Sequence, residues 1–99
     1  MDIVQYFHRT SLSPDAVVEE ADRFFGAKLS VVLADARVRK YQGSIGEIAV
    51  KIEAEGGHYT LITLKTDQVG ESEADKLSKR FLGVVHKRAE PQHELRGAY

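Results

Sequence analysis

Residues 46–66 read GEIAVKIEAEGGHYTLITLKT, and their pattern of apolar and polar residues is the clearest indication of the architecture of the chain. Apolar and charged residues alternate over 46–55, as they do in a strand with one buried face and one polar face. Gly56-Gly57 follows, and two glycines suit a two-residue hairpin loop because both central positions of a type I′ turn need a positive φ. A second run of apolar and β-branched residues occupies 58–66. The pattern predicts an antiparallel hairpin.

A two-residue loop fixes the register of this hairpin. It places Ile52 opposite Leu61 and Lys51 opposite Ile62. The face predicted to pack against helices carries Ile48, Val50, Ile52, Tyr59 and Leu61. The other face is predicted to be polar near the loop and apolar farther from it. That face carries Ala49, Lys51, Glu53, Glu55, His58, Thr60, Ile62 and Leu64.

Two further segments have the composition of strands. Residues 2–10 (DIVQYFHRT) have apolar residues at positions of both parities, which predicts a strand whose two faces are both partly covered. Residues 29–41 contain three valines and favour a single strand from about 30 to 41. A helical stripe also fits 29–38, so a helix there remains an alternative.

Two helices are indicated by their capping residues. Ser13 is a candidate N-cap and Pro14 suits the first helical position, which predicts a helix over 14–25. Ser72 can cap a second helix over about 72–88. Acidic residues crowd the start of this second helix and basic residues crowd its end, an order that complements the helix dipole.

The predicted element order is β-α-β-β-β-α. The predicted fold class is α+β, a two-layer sandwich in which two helices cover one face of an antiparallel four-stranded sheet. Residues 1–88 are expected to form this single domain. Residues 89–99 (AEPQHELRGAY) are polar and contain a proline, so we expect a polar C-terminal tail.

Composition excludes several classes of protein. The chain has 99 residues and a formal net charge of −1, which argues against a general nucleic-acid binder because such proteins carry a positive excess. The absence of cysteine excludes disulfides, thiolate metal sites and thiol catalysis. No apolar run reaches the length of about 20 residues that a membrane helix needs, and the N-terminus lacks a signal-peptide pattern. We therefore expect a cytoplasmic protein.

The sequence carries no recognisable catalytic motif. It has no Gly-rich phosphate loop and no pair of histidines at metalloprotease spacing. His58 and Glu55, which flank the predicted loop, are interpreted as a polar cross-strand pair in preference to a metal site or a pH sensor. We expect a non-catalytic protein with no cofactor and no metal.

The mixed second face of the sheet predicts a protein contact, because an exposed apolar patch on a charged domain marks an interaction surface. The expected partner is a second copy of the chain or a larger protein. The predicted contact comprises Ala49, Lys51, Glu53, Thr60, Ile62 and Leu64. Isolated surface apolar residues with no role are the alternative interpretation.

The last predicted helix carries a basic patch. The patch consists of Lys76, Arg80, Lys87 and Arg88. It could bind an acidic partner or RNA phosphates. Alternatively, its charges pair internally with the acidic polar face of the first helix, and the patch then orients the two helices.

Two stretches resemble helix-grip domains of the START and polyketide-cyclase type. Ser13-Pro14-Asp15-Ala16-Val17 resembles the start of the first helix in those domains, and Gly57-His58-Tyr59-Thr60-Leu61-Ile62-Thr63-Leu64 resembles their last strand before the C-terminal helix. This resemblance implies a curved sheet around the last helix, with an apolar ligand between them. The implied lining comprises Phe7, Tyr59, Leu77 and Phe81, which would otherwise be core residues.

The element order and chain length also resemble the ribosome hibernation-promoting factors. Those proteins bind ribosomal RNA with basic helices. The resemblance implies RNA binding through the basic patch on the last helix of this chain.

Overall fold

The computed structural model describes residues 4–90, which form a five-stranded sheet and two helices. The elements are β1 (Val4–Thr10), α1 (Pro14–Gly26), β2 (Ser30–Asp35), β3 (Val38–Gly43), β4 (Gly46–Glu55), β5 (Tyr59–Thr66) and α2 (Glu73–Ala89). The sheet is antiparallel throughout, with the strand order β1-β5-β4-β3-β2. The predicted α+β class is confirmed, but the sheet has five strands and not four. The predicted tail lies largely outside the described residues.

The predicted single strand over 30–41 is wrong, because a turn at Ala36 and Arg37 divides it into β2 and β3. Ala36 has a φ of +39° at this turn. Sequence patterns did not reveal the turn, since neither residue is among the glycines, asparagines and prolines that normally mark one. The alternative of a helix over 29–38 is likewise not what forms.

The predicted register of the β4–β5 hairpin is also wrong. Glu55 pairs with Tyr59, so the loop between them has three residues, and both Gly57 (φ +78°) and His58 (φ +68°) adopt left-handed conformations. Ile52 therefore pairs with Ile62 and not with Leu61. Because side chains alternate along a strand, a shift of one residue moves every side chain of β5 to the opposite face of the sheet.

The two helices begin where their capping residues predict. The Ser13 hydroxyl accepts a hydrogen bond from the Ala16 N–H at 3.1 Å, and the Ser72 hydroxyl accepts one from the Asp75 N–H at 3.2 Å. These bonds satisfy backbone donors that have no partner within the first helical turn. The predicted helices over 14–25 and 72–88 agree with α1 and α2 to within one residue at each end.

Both helices pack on one face of the sheet, as predicted, and the core lies between the two layers. Phe25 of α1 packs against Tyr41 of β3 and Phe81 of α2, with ring centroids 5.0 Å and 4.9 Å away. The core side chains are Val17, Ala21, Phe25, Tyr41, Ile48, Val50, Ile52, Ile62, Leu64, Ala74, Leu77, Phe81 and Val85. Neither helix packs on the opposite face of the sheet.

Candidate interaction surface

The face of the sheet opposite the helices is uncovered within residues 4–90, and we call it the open face. Its side chains alternate along each strand with those that enter the core. They are Gln5, Phe7 and Arg9 of β1; Tyr59, Leu61, Thr63 and Lys65 of β5; Glu47, Ala49, Lys51, Glu53 and Glu55 of β4; Val38, Lys40 and Gln42 of β3; and Ser30, Leu33 and Asp35 of β2.

Three large side chains of β1 and β5 form an apolar patch on the open face: Phe7, Leu61 and Tyr59. The relative exposure of Phe7 is 66% and that of Tyr59 is 49%. Leu61 pairs with Arg9, which places it diagonally across from Phe7, and diagonal neighbours on one sheet face lie within reach of aromatic side chains. We call this cluster the aromatic patch.

Charged pairs surround the aromatic patch. Arg9 donates a hydrogen bond through Nε to Glu55 Oε1 at 2.5 Å, beside Tyr59. This bond lowers the pKa of Glu55 and raises that of Arg9, so both remain charged. Lys51 and Glu53 form a second ion pair at 2.8 Å. Because exposed pairs contribute little to stability, their main physical effect is to give the open face a defined charge pattern.

The structure separates the six residues of the predicted protein contact. Ala49, Lys51 and Glu53 lie on the open face as predicted. Thr60, Ile62 and Leu64 do not, since they face the helices and are buried. Thr60 donates its hydroxyl hydrogen to the Leu12 carbonyl at 2.6 Å, which ties β5 to the start of α1. The predicted contribution of Thr60, Ile62 and Leu64 to the contact is therefore wrong.

The aromatic patch was missed at the sequence level because of the register. Tyr59 and Leu61 were assigned to the helix side, and Phe7 could not be assigned because β1 has apolar residues of both parities. A signal for the true register was nevertheless present. The observed pairing joins Ile52 to Ile62, whereas the predicted pairing set Ile62 opposite a lysine.

The four residues of the basic patch differ in their contacts: one pairs with α1 and three remain exposed. Arg88 donates through Nη1 to Glu20 at 3.0 Å, and to the Ala16 carbonyl at 3.3 Å, so it joins α2 to α1. Lys76, Arg80 and Lys87 form no ion pair with any side chain of residues 4–90. Pairing with the acidic face of α1 therefore accounts for Arg88 only. The other three residues of the basic patch are available to an acidic partner.

The four residues of the implied ligand lining do not share one space. Leu77 and Phe81 belong to the core, whereas Phe7 and Tyr59 project from the open face on the other side of the sheet. A groove of about 680 Å³ lies elsewhere, on the outer side of α2, where Leu82, Gly83 and His86 meet His8 of β1. Burial and the neighbouring His86 lower the pKa of His8.

A buried carboxylate connects the end of the sheet to α2. Asp75 accepts hydrogen bonds from the Tyr6 hydroxyl and, at 2.8 Å, from the Glu71 N–H, while Lys79 Nζ lies 3.2 Å from Oδ2. Burial opposes ionisation of Asp75, but these donors outweigh it and lower its pKa. Burial and the bond to Asp75 raise the pKa of Tyr6. Lys79 Nζ also lies 3.3 Å from Glu71 Oε1, so the cluster joins β1, the start of α2 and its second turn, which is a structural role.

Comparison with protein-family models, curated proteins and solved structures finds no match for this chain. Within the described part of the chain, no three side chains of the metal-ligating types come together to hold an ion. Neither α1 nor α2 has the length and apolar character of a helix that crosses a membrane.

Proposed function

We propose that this protein is a small non-catalytic protein-interaction module that binds another protein through the open face of its sheet. The observation that carries the proposal is the aromatic patch. Aromatic residues are enriched at the centres of protein interfaces, and Phe7 presents most of its surface to solvent in the isolated chain.

The arrangement of charge around the aromatic patch supports the same proposal. An apolar centre with a charged rim is the usual anatomy of a protein interface. The Arg9–Glu55 and Lys51–Glu53 pairs lie on the open face beside or across from the patch. Burial of Phe7, Leu61 and Tyr59 would drive association, and the charged pairs would fix the orientation of the partner.

The test compares two exposed apolar residues of similar exposure. Phe7 lies in the aromatic patch, whereas Val69 lies between β5 and α2 and is 60% exposed. A protein captured from an extract of the source cells would be purified and titrated calorimetrically with the wild type, Phe7→Asp and Val69→Asp. We expect Phe7→Asp to weaken binding by at least about tenfold, as loss of a central aromatic contact does, and Val69→Asp to leave it unchanged. Equal binding by the two variants would contradict the proposal.

A second candidate function is binding of RNA by α2. It is favoured by three exposed cations that form no ion pair with the side chains of residues 4–90: Lys76, Arg80 and Lys87. If all three contact phosphates of single-stranded RNA, the logarithm of the binding constant should fall with the logarithm of salt concentration with a slope of about −2. Reversal of these charges to Glu should abolish that binding. RNA binding that survives the reversal, or that is absent in the wild type at low salt, would remove this candidate.

A further inference from the structure

A cleft separate from the open face lies beside the first two turns of α2, and we call it the α2 cleft. Its walls come from three parts of the chain: the turn that follows α1, the turn between β3 and β4, and α2 itself. The volume of the cleft is about 320 Å³, at the lower end of the range of roughly 300–1,000 Å³ that small-molecule sites occupy. The space is therefore sufficient for a small ligand.

Three cations line the α2 cleft: Lys28, Lys76 and Arg80. None of them forms an ion pair with a side chain of residues 4–90. Lys76 and Arg80 lie one helical turn apart, so their charges repel each other. The Lys28 ammonium lies 5.7 Å from the centroid of the Phe24 ring, a contact that orients the side chain but leaves its positive charge in place. Three like charges are thus gathered at one place without an ion-pair partner among the described residues.

The rest of the lining combines two polar side chains with an apolar floor. Glu73 is the one acidic residue that lines the cleft within residues 4–90, and it forms no ion pair with Lys76, three positions along α2. Ser44 adds a hydroxyl group. The floor consists of apolar side chains that belong to the core or pack against it: Leu29, Ile45 and Leu77. Three cations and one carboxylate leave the lining with a net charge of +2.

The turn that carries Lys28 is held firmly in place. The N–H groups of Lys28 and Leu29 both donate to the Phe25 carbonyl, at 2.9 Å and 2.7 Å. The Leu29 side chain also lies against Gly43, where an added β-carbon would stand only 2.6 Å from Leu29 Cδ2. A ligand would therefore meet a preformed wall, and binding would not have to order this turn.

We propose that the α2 cleft binds a phosphate monoester of a small hydroxylated molecule, of the class of the sugar phosphates. A phosphate monoester carries a charge of about −1.5 to −2 at pH 7, which matches the net charge of the lining and exceeds that of a monocarboxylate. Arg80 can donate two parallel hydrogen bonds to phosphate oxygens, and the two lysines supply further charge. Glu73 and Ser44 can then accept hydrogen bonds from the hydroxyl groups of the ligand.

This site differs from the surface considered for RNA, although the two share Lys76 and Arg80. Lys28 lines the α2 cleft and does not belong to the basic patch, whereas Lys87 belongs to the basic patch and does not line the cleft. Binding of a small phosphate in the cleft therefore depends on Lys28, and binding of RNA along α2 depends on Lys87.

The test is a titration of the isotope-labelled full chain with ribose 5-phosphate, followed by the NMR shifts of the backbone amides. We expect saturable shifts centred on Lys28, Ser44 and Lys76, with a dissociation constant of about 1 mM or lower, as is usual for a ligand of this size. Ribose without the phosphate should bind at least about tenfold more weakly, because it lacks the charge that the three cations attract. Absence of saturation up to about 10 mM ribose 5-phosphate, or equal binding of ribose, overturns the proposal.

Removal of single charges locates the site. Lys28→Gln and Arg80→Gln should each weaken the binding of ribose 5-phosphate by at least about tenfold, as loss of a charge-assisted hydrogen bond does. Both side chains are exposed, so the variants should keep the amide spectrum of the folded protein. The control is Arg37→Gln, which removes an exposed cation without an ion pair to residues 4–90 from the β2–β3 turn, at the opposite end of β3 from the cleft. It should leave the affinity unchanged.

Two outcomes of this series contradict the α2 cleft as the site. Equal weakening by all three variants would show attraction to the charge of the whole chain and overturns the proposal. An affinity that Lys28→Gln leaves intact and Lys87→Gln lowers also overturns it, and assigns the phosphate to the basic patch.

Discussion

Ile62 and Phe7 are apolar residues of neighbouring strands, but their side chains point to opposite faces of the sheet. Ile62 has no exposed surface, because it pairs with Ile52 and lies beneath the helices. Phe7 is mostly exposed on the open face. The two residues therefore contribute differently: the first stabilises the fold by burial, and the second is available for binding.

A matched pair of substitutions separates these two contributions. Ile62→Asp should lower the free energy of unfolding by more than about 4 kcal/mol, because it leaves a cavity and buries a carboxyl group without a partner. Phe7→Asp should change it by less than about 1 kcal/mol, since it disturbs no core contact. Urea denaturation followed by circular dichroism measures both. An Ile62→Asp protein as stable as the wild type would place Ile62 back on the open face and restore the register predicted from the sequence.

At the scale of the elements, the β2–β3 turn depends on one residue in an unfavourable conformation. Ala36 has a positive φ, which costs an L-residue with a β-carbon about 1–2 kcal/mol. The Ala36 carbonyl accepts a hydrogen bond from Arg39 at 3.2 Å, which helps to hold the turn. The turn thus forms because the strands on both sides pair well, and not because its residues favour it.

Replacement of Ala36 by a residue suited to this conformation should stabilise the hairpin. Asn adopts the left-handed region more readily than Ala, so Ala36→Asn should raise the free energy of unfolding by about 0.5–1 kcal/mol. Ala34→Asn, in the extended part of β2, should give no gain because Asn is disfavoured in strands. Thermal denaturation of both variants tests this. A loss of stability in Ala36→Asn would argue against the turn at this position.

The elements that sequence analysis predicted correctly are those specified by local interactions. The N-caps of α1 and α2 involve residues three positions apart, so Ser13 and Ser72 could be recognised from the sequence alone. The division of β2 from β3 could not, because Ala36 adopts its conformation only when the two strands pair.

The same reasoning explains which part of the candidate site was predicted. Ala49, Lys51 and Glu53 were placed correctly because β4 alternates clearly between apolar and charged residues. The error in β5 arose from a single residue, His58, whose left-handed conformation extends the loop to three residues. Phe7 required knowledge that β1 pairs with β5, which is a contact between distant parts of the chain.

At the scale of the whole molecule, two polar connections link α2 to other elements that the hydrophobic core packs together. Arg88 joins α2 to Glu20 of α1, and Asp75 joins α2 to Tyr6 of β1. The second connection is the more deeply buried of the two, since Asp75 has no exposed surface. A buried ionised carboxylate is tolerated only while its donors remain in place, which makes the stability of the molecule depend on pH.

The direction of this dependence follows from the pKa of Asp75, which the folded protein lowers from its usual value of 3.8. Above pH 3.8 the ionised carboxylate contributes its full stabilisation. As the pH falls below 3.8 and through the lower folded-state pKa, the unfolded chain binds a proton first and the contribution disappears.

Asp75→Asn should therefore lower the free energy of unfolding at pH 7 by about 1.5–3 kcal/mol, as loss of charged hydrogen bonds does. Its stability should then fall less steeply than that of the wild type between pH 4 and pH 2, measured by urea denaturation at each pH. An Asp75→Asn protein with the wild-type slope would show that the cluster of Asp75, Tyr6 and Lys79 does not set the acid stability of the fold.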